Sequence, residues 1–158
     1  MAVYVRREPW PAITSAVNGA NGRVRVAIAY FGTDSHDLLP LKAGDTLVCD
    51  ASERAVKNGS TNPTALKEFV YQGVDVWSYE GLHAKVVVLP RRAFVGSANA
   101  SRNSSERLFE AVIETTDTDE IRDLRAFVNN LCVKPIDLTE LERLKKFVPK
   151  RPRTSPVT

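Results

Sequence analysis

A tight hairpin near the middle of the chain limits the possible folds more than any other feature. Residues 84–89 read AKVVVL, Pro90-Arg91-Arg92 is a turn sequence, and residues 93–97 read AFVGS. Two apolar runs joined by so short a turn predict neighbouring antiparallel strands. Because the sheet must then contain at least one antiparallel pair, a purely parallel α/β sheet is excluded.

The rest of the chain alternates apolar runs with amphipathic segments. Further strands are predicted at 23–31, 46–50, 74–79 and 109–115, with a loop at 101–107 that can hold a helical turn. Helices are predicted at Trp10–Val17 and after three N-caps, Asn62, Asp117 and Thr139. The Asp117 and Thr139 caps have a glutamate three residues on, and the Asp117 helix has an apolar stripe of Ile121, Leu124, Phe127 and Leu131. This order predicts an α/β fold, a mixed sheet flanked by helices.

Length and hydropathy predict one soluble domain. The chain has 158 residues, of which 43% are hydrophobic, enough for a single core. No apolar run approaches the roughly 20 residues of a membrane span, and the first ten residues do not resemble a signal peptide. We therefore expect a cytoplasmic protein without stable membrane association. Cys49 and Cys132 are too few for a disulfide framework or a zinc site, and both are expected to be buried.

The positive charge is concentrated at the C-terminus. The net charge is +3, from 22 basic and 19 acidic residues. Five of the basic residues follow Leu144 without an acid among them, so the body of the chain is close to neutral. We expect a catalytic domain at 1–148 and a basic, disordered tail at 149–158, which either contacts a phosphate backbone or is simply solvated.

Residues with the potential for chemistry are densest around the hairpin. His83 and Lys85 are two positions apart on a predicted strand, so their side chains share one face. The returning strand leads into Ser97 and Asn99, at the same end of the sheet. Glu110 can approach the same place if it lies on an adjacent strand.

These residue types suit the cleavage of a phosphodiester. An imidazole can attack phosphorus and form a covalent phosphohistidine. Lys85 and Asn99 can stabilise the charged phosphoryl oxygens, Ser97 adds a donor, and Glu110 can hold the His83 imidazole in one tautomer. No carboxylate cluster suited to a catalytic metal is visible in the sequence, so we expect metal-independent chemistry without a cofactor.

His83-x-Lys85 followed by Gly96-Ser97-x-Asn99 resembles the HxK…GSxN signature of the phospholipase D superfamily. The resemblance implies the fold of that superfamily, with His83 as nucleophile, Lys85 and Asn99 as phosphate-binding residues and Ser97 as a supporting donor. It also implies that Glu110 orients the histidine. The full family motif has an aspartate five residues after the lysine, and Pro90 occupies that position here.

The resemblance also implies a dimer. The reaction of the family uses two histidines, one that attacks and one that protonates the leaving oxygen, but this chain has one motif. The other histidine, His36, has no such motif around it and is expected on a surface loop. We therefore expect a homodimer in which a two-fold axis sets His83 against its own symmetry mate.

The sequence constrains the substrate class less than it constrains the fold and the catalytic residues. Short, single-motif members of the superfamily are more often nucleases, and Arg91, Arg92 and Arg102 lie near the motif, so we expect a nuclease for which DNA is favoured over RNA. A phospholipid phosphodiesterase or phosphatidyl transferase is an alternative, with the segment Leu138–Val148 as a weak membrane-binding candidate. Others are a catalytically silent nucleic-acid-binding module and the catalytic half of a larger restriction enzyme.

Overall fold

The computed structural model describes residues 4–6, 8–106, 108 and 110–150, with only the backbone at 4–6, 102 and 103. Within these residues one mixed sheet has the strand order β1-β7-β6-β5-β2-β3-β4-β8. The strands are β1 (Tyr4–Arg6), β2 (Arg25–Ile28), β3 (Thr46–Cys49), β4 (Asp75–Ser78), β5 (Lys85–Val88), β6 (Ala93–Gly96), β7 (Val112–Thr115) and β8 (Lys134–Pro135).

The strand directions bring several loops to one edge of the sheet. Strands β2, β3 and β4 are parallel to one another. Strand β5 is antiparallel to β2, β6 is antiparallel to β5, and β7 is antiparallel to β6. The ends of β2, β3, β4 and β6 and the beginnings of β5 and β7 therefore meet at one edge, which we call the upper edge. The hairpin turn at Pro90 lies at the opposite, lower edge.

Helices cover both faces of the sheet. They are α1 (Pro9–Asn18), α2 (Ser35–Leu38), α3 (Glu53–Lys57), α4 (Pro63–Tyr71), α5 (Arg102–Glu106), α6 (Thr118–Asn130) and α7 (Leu138–Leu144), followed by a 3-10 turn at Lys145–Phe147. The predicted start of α4 is confirmed, since the Asn62 side chain accepts a hydrogen bond from the Thr64 amide at 2.9 Å. Gly73, with φ of +85°, adopts the left-handed backbone that follows this helix.

Two apolar layers fill the space between the helices and the sheet. The larger layer joins α1, α4 and α7 to one face and includes Ile13, Leu66, Phe69, Leu141 and Leu144. The smaller layer lies under α6 and includes Val86, Val88, Ile121 and Val128. Cys49 is buried as predicted, whereas Cys132 is only half-buried.

Three details of the helices differ from the sequence predictions. Helix α7 is capped by Asp137, which accepts from the Glu140 amide at 2.8 Å, rather than by Thr139. The predicted stripe of α6 is wrong at Phe127, which is 41% exposed; Val128 is buried instead. The segment 101–107, predicted as a loop that can hold a helical turn, contains the five-residue helix α5, whereas the predicted strand at 109–115 begins only at Val112.

Candidate functional site

The upper edge collects all five residues of the predicted site. His83 lies two positions before the first residue of β5, which is Lys85 itself. Ser97 and Asn99 follow the last residue of β6, and Glu110 lies two positions before β7. Because β5, β6 and β7 are neighbours in the sheet, loops that are distant in sequence become adjacent there.

His83 presents its imidazole to solvent. The residue is exposed, and its ring meets the edge of the Tyr30 ring at a centroid distance of 6.4 Å and an interplanar angle of 72°. The contact arises because the β2–β5 pairing continues past the assigned strands, with a hydrogen bond of 3.0 Å from the Ala29 amide to the Ala84 carbonyl. An exposed imidazole held against an aromatic ring is accessible to an incoming phosphodiester.

A buried aspartate fixes the loop that carries His83. Asp50, at the end of β3, is 3% exposed. Its Oδ2 accepts a hydrogen bond of 3.1 Å from the Gly81 amide, and Gly81 has a φ of +86°. The Leu82 amide closes the same turn by donating to the Tyr79 carbonyl at 3.1 Å. Sequence reasoning missed Asp50 because a single aspartate after a strand carries no motif.

Lys85 is anchored beside the histidine. Its Nζ donates a hydrogen bond of 2.8 Å to the His83 carbonyl, which leaves two further donors on the ammonium group. Burial lowers the pKa of Lys85 from its ordinary value, and the negative charge of Glu110 opposes that shift. Lys85 therefore places a positive charge next to His83 in a partly desolvated position.

Glu110 belongs to a buried hydrogen-bond chain. One carboxylate oxygen accepts a short hydrogen bond from the Ser97 hydroxyl, and the other accepts from Ser104 Oγ at 3.3 Å. The Trp10 indole donates to Ser104 Oγ at 3.3 Å, which ties the chain to α1. The expected contact between Glu110 and the imidazole of His83 is not among the contacts of the described residues, in which the carboxylate accepts from Ser97 and Ser104.

Asn99 offers a polar atom that has no partner among the described residues, and Gly96 allows a close backbone approach beside it. Asn99 is half-buried, and its Oδ1 is buried without a hydrogen-bond partner in the described part of the chain. An unpartnered buried amide atom costs about 1–3 kcal/mol, so a ligand that satisfied it would be favoured. A Cβ at Gly96 would lie 2.2 Å from the Ala111 carbonyl oxygen, which explains why glycine precedes Ser97.

The arginines near the motif do not gather at the site. Arg91 and Arg92 occupy the hairpin turn at the lower edge, separated from His83 by the length of β5, roughly 13 Å for four residues. Arg92 pairs with Glu114 at 2.8 Å and lies over the Phe94 ring, so its guanidinium is held by contacts within the fold. These two residues, which are close to the motif in sequence, therefore lie at the opposite end of β5 from His83, and their predicted role in substrate binding stays a prediction. Arg102 begins α5, after Asn99, but its side chain lies outside the described residues.

Two other sequence-based ideas concern His36 and the C-terminal helix. His36 lies on the one-turn helix α2 rather than on a loop, with its side chain 41% exposed and 3.3 Å from Asp37. The membrane-binding candidate Leu138–Val148 contains α7, which buries Leu141 and Leu144 in the core.

None of the described helices has the length and apolar character needed to cross a membrane. Among the described residues, no group of three histidine, cysteine or acidic side chains could hold a metal.

Comparison with solved structures identifies the fold. NucT from Helicobacter pylori matches with a TM-score of 0.68 at 17% identity, over 87% of this chain and 99% of that chain. Nuc from Salmonella typhimurium, a phospholipase D family member, matches with a TM-score of 0.70 at 16% identity, over 86% of this chain and 97% of that chain.

A longer protein shares the same fold. Phosphatidylserine synthase from Haemophilus influenzae matches with a TM-score of 0.63 at 10% identity, over 92% of this chain but 42% of that chain. No protein-family model and no curated protein sequence matches the chain. The solved structures nevertheless show that the chain has the fold of the phospholipase D superfamily. The fold expected from the HxK…GSxN residues is therefore confirmed.

Proposed function

We propose that this chain is a metal-independent phosphodiesterase that cleaves nucleic acid through a phosphohistidine on His83. One observation carries the proposal: within this fold, the exposed imidazole of His83 lies at the same edge of the sheet as Lys85, Ser97 and Asn99. A nucleophile, a cation and hydrogen-bonding groups in one place are what a phosphoryl transfer without a metal requires.

The reaction then proceeds by two displacements. In the first, a nitrogen of the His83 imidazole forms a bond to phosphorus while the bond to the leaving oxygen breaks. In the second, water attacks phosphorus, the bond to the imidazole breaks, and the product leaves as a phosphomonoester. Lys85 and Asn99 stabilise the phosphoryl oxygens in both steps, where negative charge is concentrated.

The leaving oxygen must receive a proton, and a second His83 is the proposed source. Within the described residues, the other histidine, His36, has Asp37 as its one ion-pair partner and no contact with the site. A homodimer with its two-fold axis at the upper edge supplies a second exposed imidazole opposite the first. In the second displacement the same group removes a proton from the attacking water.

The hydrogen bonds that Glu110 accepts have a role in this proposal. By accepting from Ser97 and Ser104, the carboxylate fixes the loop that follows β6 against α5 and α1. The negative charge of Glu110 also favours the protonated form of Lys85, opposing the effect of burial. Glu110 is thus a positioning residue for the phosphate-binding groups. Orientation of the catalytic histidine is the further role that the sequence resemblance implies for Glu110.

Nucleic acid is the substrate class we favour, with DNA ahead of RNA. The TM-scores with Nuc and NucT, 0.70 and 0.68, are higher than the 0.63 with phosphatidylserine synthase. The one helix considered for membrane binding, α7, has its apolar face in the core. The basic C-terminal residues supply charge suited to a polyanion.

A cleavage panel tests the proposed function. Labelled single- and double-stranded DNA and RNA, and phospholipid vesicles, are incubated with the protein in excess chelator. We expect nucleic acid to be cleaved at the same rate with and without chelator, because the nucleophile is an imidazole rather than a metal-bound hydroxide. Strict dependence on a divalent cation, or cleavage confined to phospholipid, would contradict the proposal. Binding without any cleavage would favour the silent binding module.

A further inference from the structure

A basic groove opens at the upper edge beside the His83 site. It has a volume of about 740 Å³ and lies where β3 and β4 end, between α3, β8 and α7. This volume is within the roughly 300–1,000 Å³ that ligand pockets occupy. Its charged lining consists of Arg54, Lys57, Lys134, Arg143, Glu53 and Glu80. Four basic and two acidic side chains leave the groove with a net positive charge.

The groove is structurally continuous with the site. Tyr79 lines the groove and lies four residues before His83, in the turn that the Leu82 amide closes. Asp50 joins the two regions: its Oδ2 accepts from the Gly81 amide at 3.1 Å, and its Oδ1 accepts from the Ser52 amide at 3.0 Å. Ser52 caps α3, one wall of the groove. The turn that precedes His83 and the helix that lines the groove are therefore held by the same aspartate.

One of the basic side chains is available to a ligand. Arg143 is paired with Glu53 and with Glu140, both at 2.7 Å, and Lys57 lies 4.0 Å from Glu53. The guanidinium of Arg54 has no hydrogen bond or ion pair with any residue that the structure describes. Arg54 is also exposed, so its charge is not consumed by the fold.

An aromatic side chain accompanies this charge. Tyr79 is 41% exposed, although its backbone amide is fixed by a hydrogen bond of 2.8 Å to the Cys49 carbonyl. An exposed ring on a rigid backbone within a basic groove is the combination with which proteins bind single-stranded nucleic acid: the ring stacks on a base and the cation contacts the backbone. A duplex, whose bases are already stacked, does not offer a free base face to this ring.

We propose that the groove binds the single strand that flanks the scissile phosphodiester, with Arg54 against a phosphate and Tyr79 stacked on a base. The proposal rests on the proposed function, since it gives the His83 site a substrate class: single-stranded rather than double-stranded nucleic acid. The path runs from His83 across the Gly81 turn to Tyr79 and then along α3.

Equilibrium binding of a labelled single-stranded oligonucleotide tests the groove. Arg54→Glu and Tyr79→Ala are each made in a His83→Ala background, so that binding is measured without cleavage. We expect each to weaken binding about tenfold, which corresponds to the loss of one stacked base or one backbone contact. Arg54→Glu should also make the slope of log K against log salt shallower by about 0.7, the contribution of one phosphate contact on a single strand.

A matched variant and a matched ligand complete the experiment. Arg23→Glu reverses an exposed charge just before β2, at the lower edge, and should leave oligonucleotide affinity within about twofold. The affinity for a blunt duplex should not change in Tyr79→Ala. Parental affinity in both groove variants, an equal loss in Arg23→Glu, or an equal loss for the duplex would overturn the proposal. Absence of cleavage by the unsubstituted protein would count against the proposed function alone, because the binding measurement does not depend on it.

Discussion

Replacement of His83 by alanine should lower phosphodiester turnover by at least about 10³-fold, because the covalent route loses its nucleophile. The fold should be unaffected, since the imidazole is exposed and its one ring contact is with Tyr30. Substrate affinity should also be largely retained, because Lys85 and Asn99 remain in place. The measurement is the single-turnover rate on an oligonucleotide, together with circular dichroism and a thermal melt of the same sample.

His36→Ala is the matched control for this prediction. It removes the other histidine, which lies on α2 and is partly exposed. We expect His36→Ala to turn over at the parental rate. A His83→Ala protein that folds and keeps more than about a tenth of the parental rate would remove His83 from the mechanism. Loss of activity in His36→Ala instead would mean that the second catalytic histidine comes from the same chain.

A mixed dimer with one intact and one substituted chain should be inactive, since a shared site needs both imidazoles. When wild-type and His83→Ala chains exchange freely at equal concentration, about a quarter of the dimers carry two intact chains. Activity should therefore fall to about a quarter of that of the wild-type protein alone when the total chain concentration is held constant. In a titration at this constant total concentration, activity should follow the square of the wild-type fraction.

Independent sites predict a different curve. If each chain were active alone, the substituted chain would act as an inert diluent, and activity per wild-type chain would not change. The Arg23→Glu protein, mixed in the same proportions, controls for effects of exchange itself. Sedimentation of each mixture checks that dimers form, and native mass spectrometry of the same mixture detects the mixed dimer. A linear dependence on the wild-type fraction would contradict the shared site.

Much of the fold could be predicted from local pattern. The hairpin at Pro90 was predictable because a short turn between two apolar runs has few alternatives, and it makes β5 and β6 antiparallel. The Asn62 cap and Pro63 marked the beginning of α4 for a similar reason, since each satisfies a requirement of the first helical turn. These signals depend on a few neighbouring residues, and tertiary contacts did not override them.

The errors occur where short elements depend on tertiary contacts. Strand β8 has two residues and contains Pro135. Proline is tolerated there because β8 is the outermost strand of the described sheet and pairs with β4 alone. Helix α3 has five residues, and its Ser52 cap is itself held by Asp50 from the end of β3. Helix α7 is capped by Asp137, two residues before the Thr139 cap that the sequence pattern predicted.

The site could be predicted in part. The motif residues were found because His83-x-Lys85 and Gly96-Ser97-x-Asn99 flank the hairpin, and the sheet topology brings their loops to one edge. The hydrogen-bond partners of Glu110 could not be predicted, because Ser104 and Trp10 approach it from separate helices. Closeness in sequence does not place Arg91 beside His83, because the two residues lie at opposite ends of β5.

The groove beside the site carries no sequence motif. Tyr79 and Arg54 are separated by 24 intervening residues. Both line the groove because β3 and β4 are parallel neighbours that end at the same edge. Only the fold shows that Arg54 lacks a partner in the described part of the chain, while Arg143 and Lys57 are paired. Charge pattern in the sequence does not distinguish these cases.

The stereochemical course at phosphorus is the most direct test of covalent catalysis by His83. A nucleotide diester made chiral at phosphorus with oxygen isotopes is cleaved in excess chelator, and the configuration of the product is determined by nuclear magnetic resonance. Each in-line displacement inverts phosphorus, so attack by His83 followed by attack of water should give net retention. Net inversion would mean that water attacks the diester directly, which would contradict a phosphohistidine intermediate.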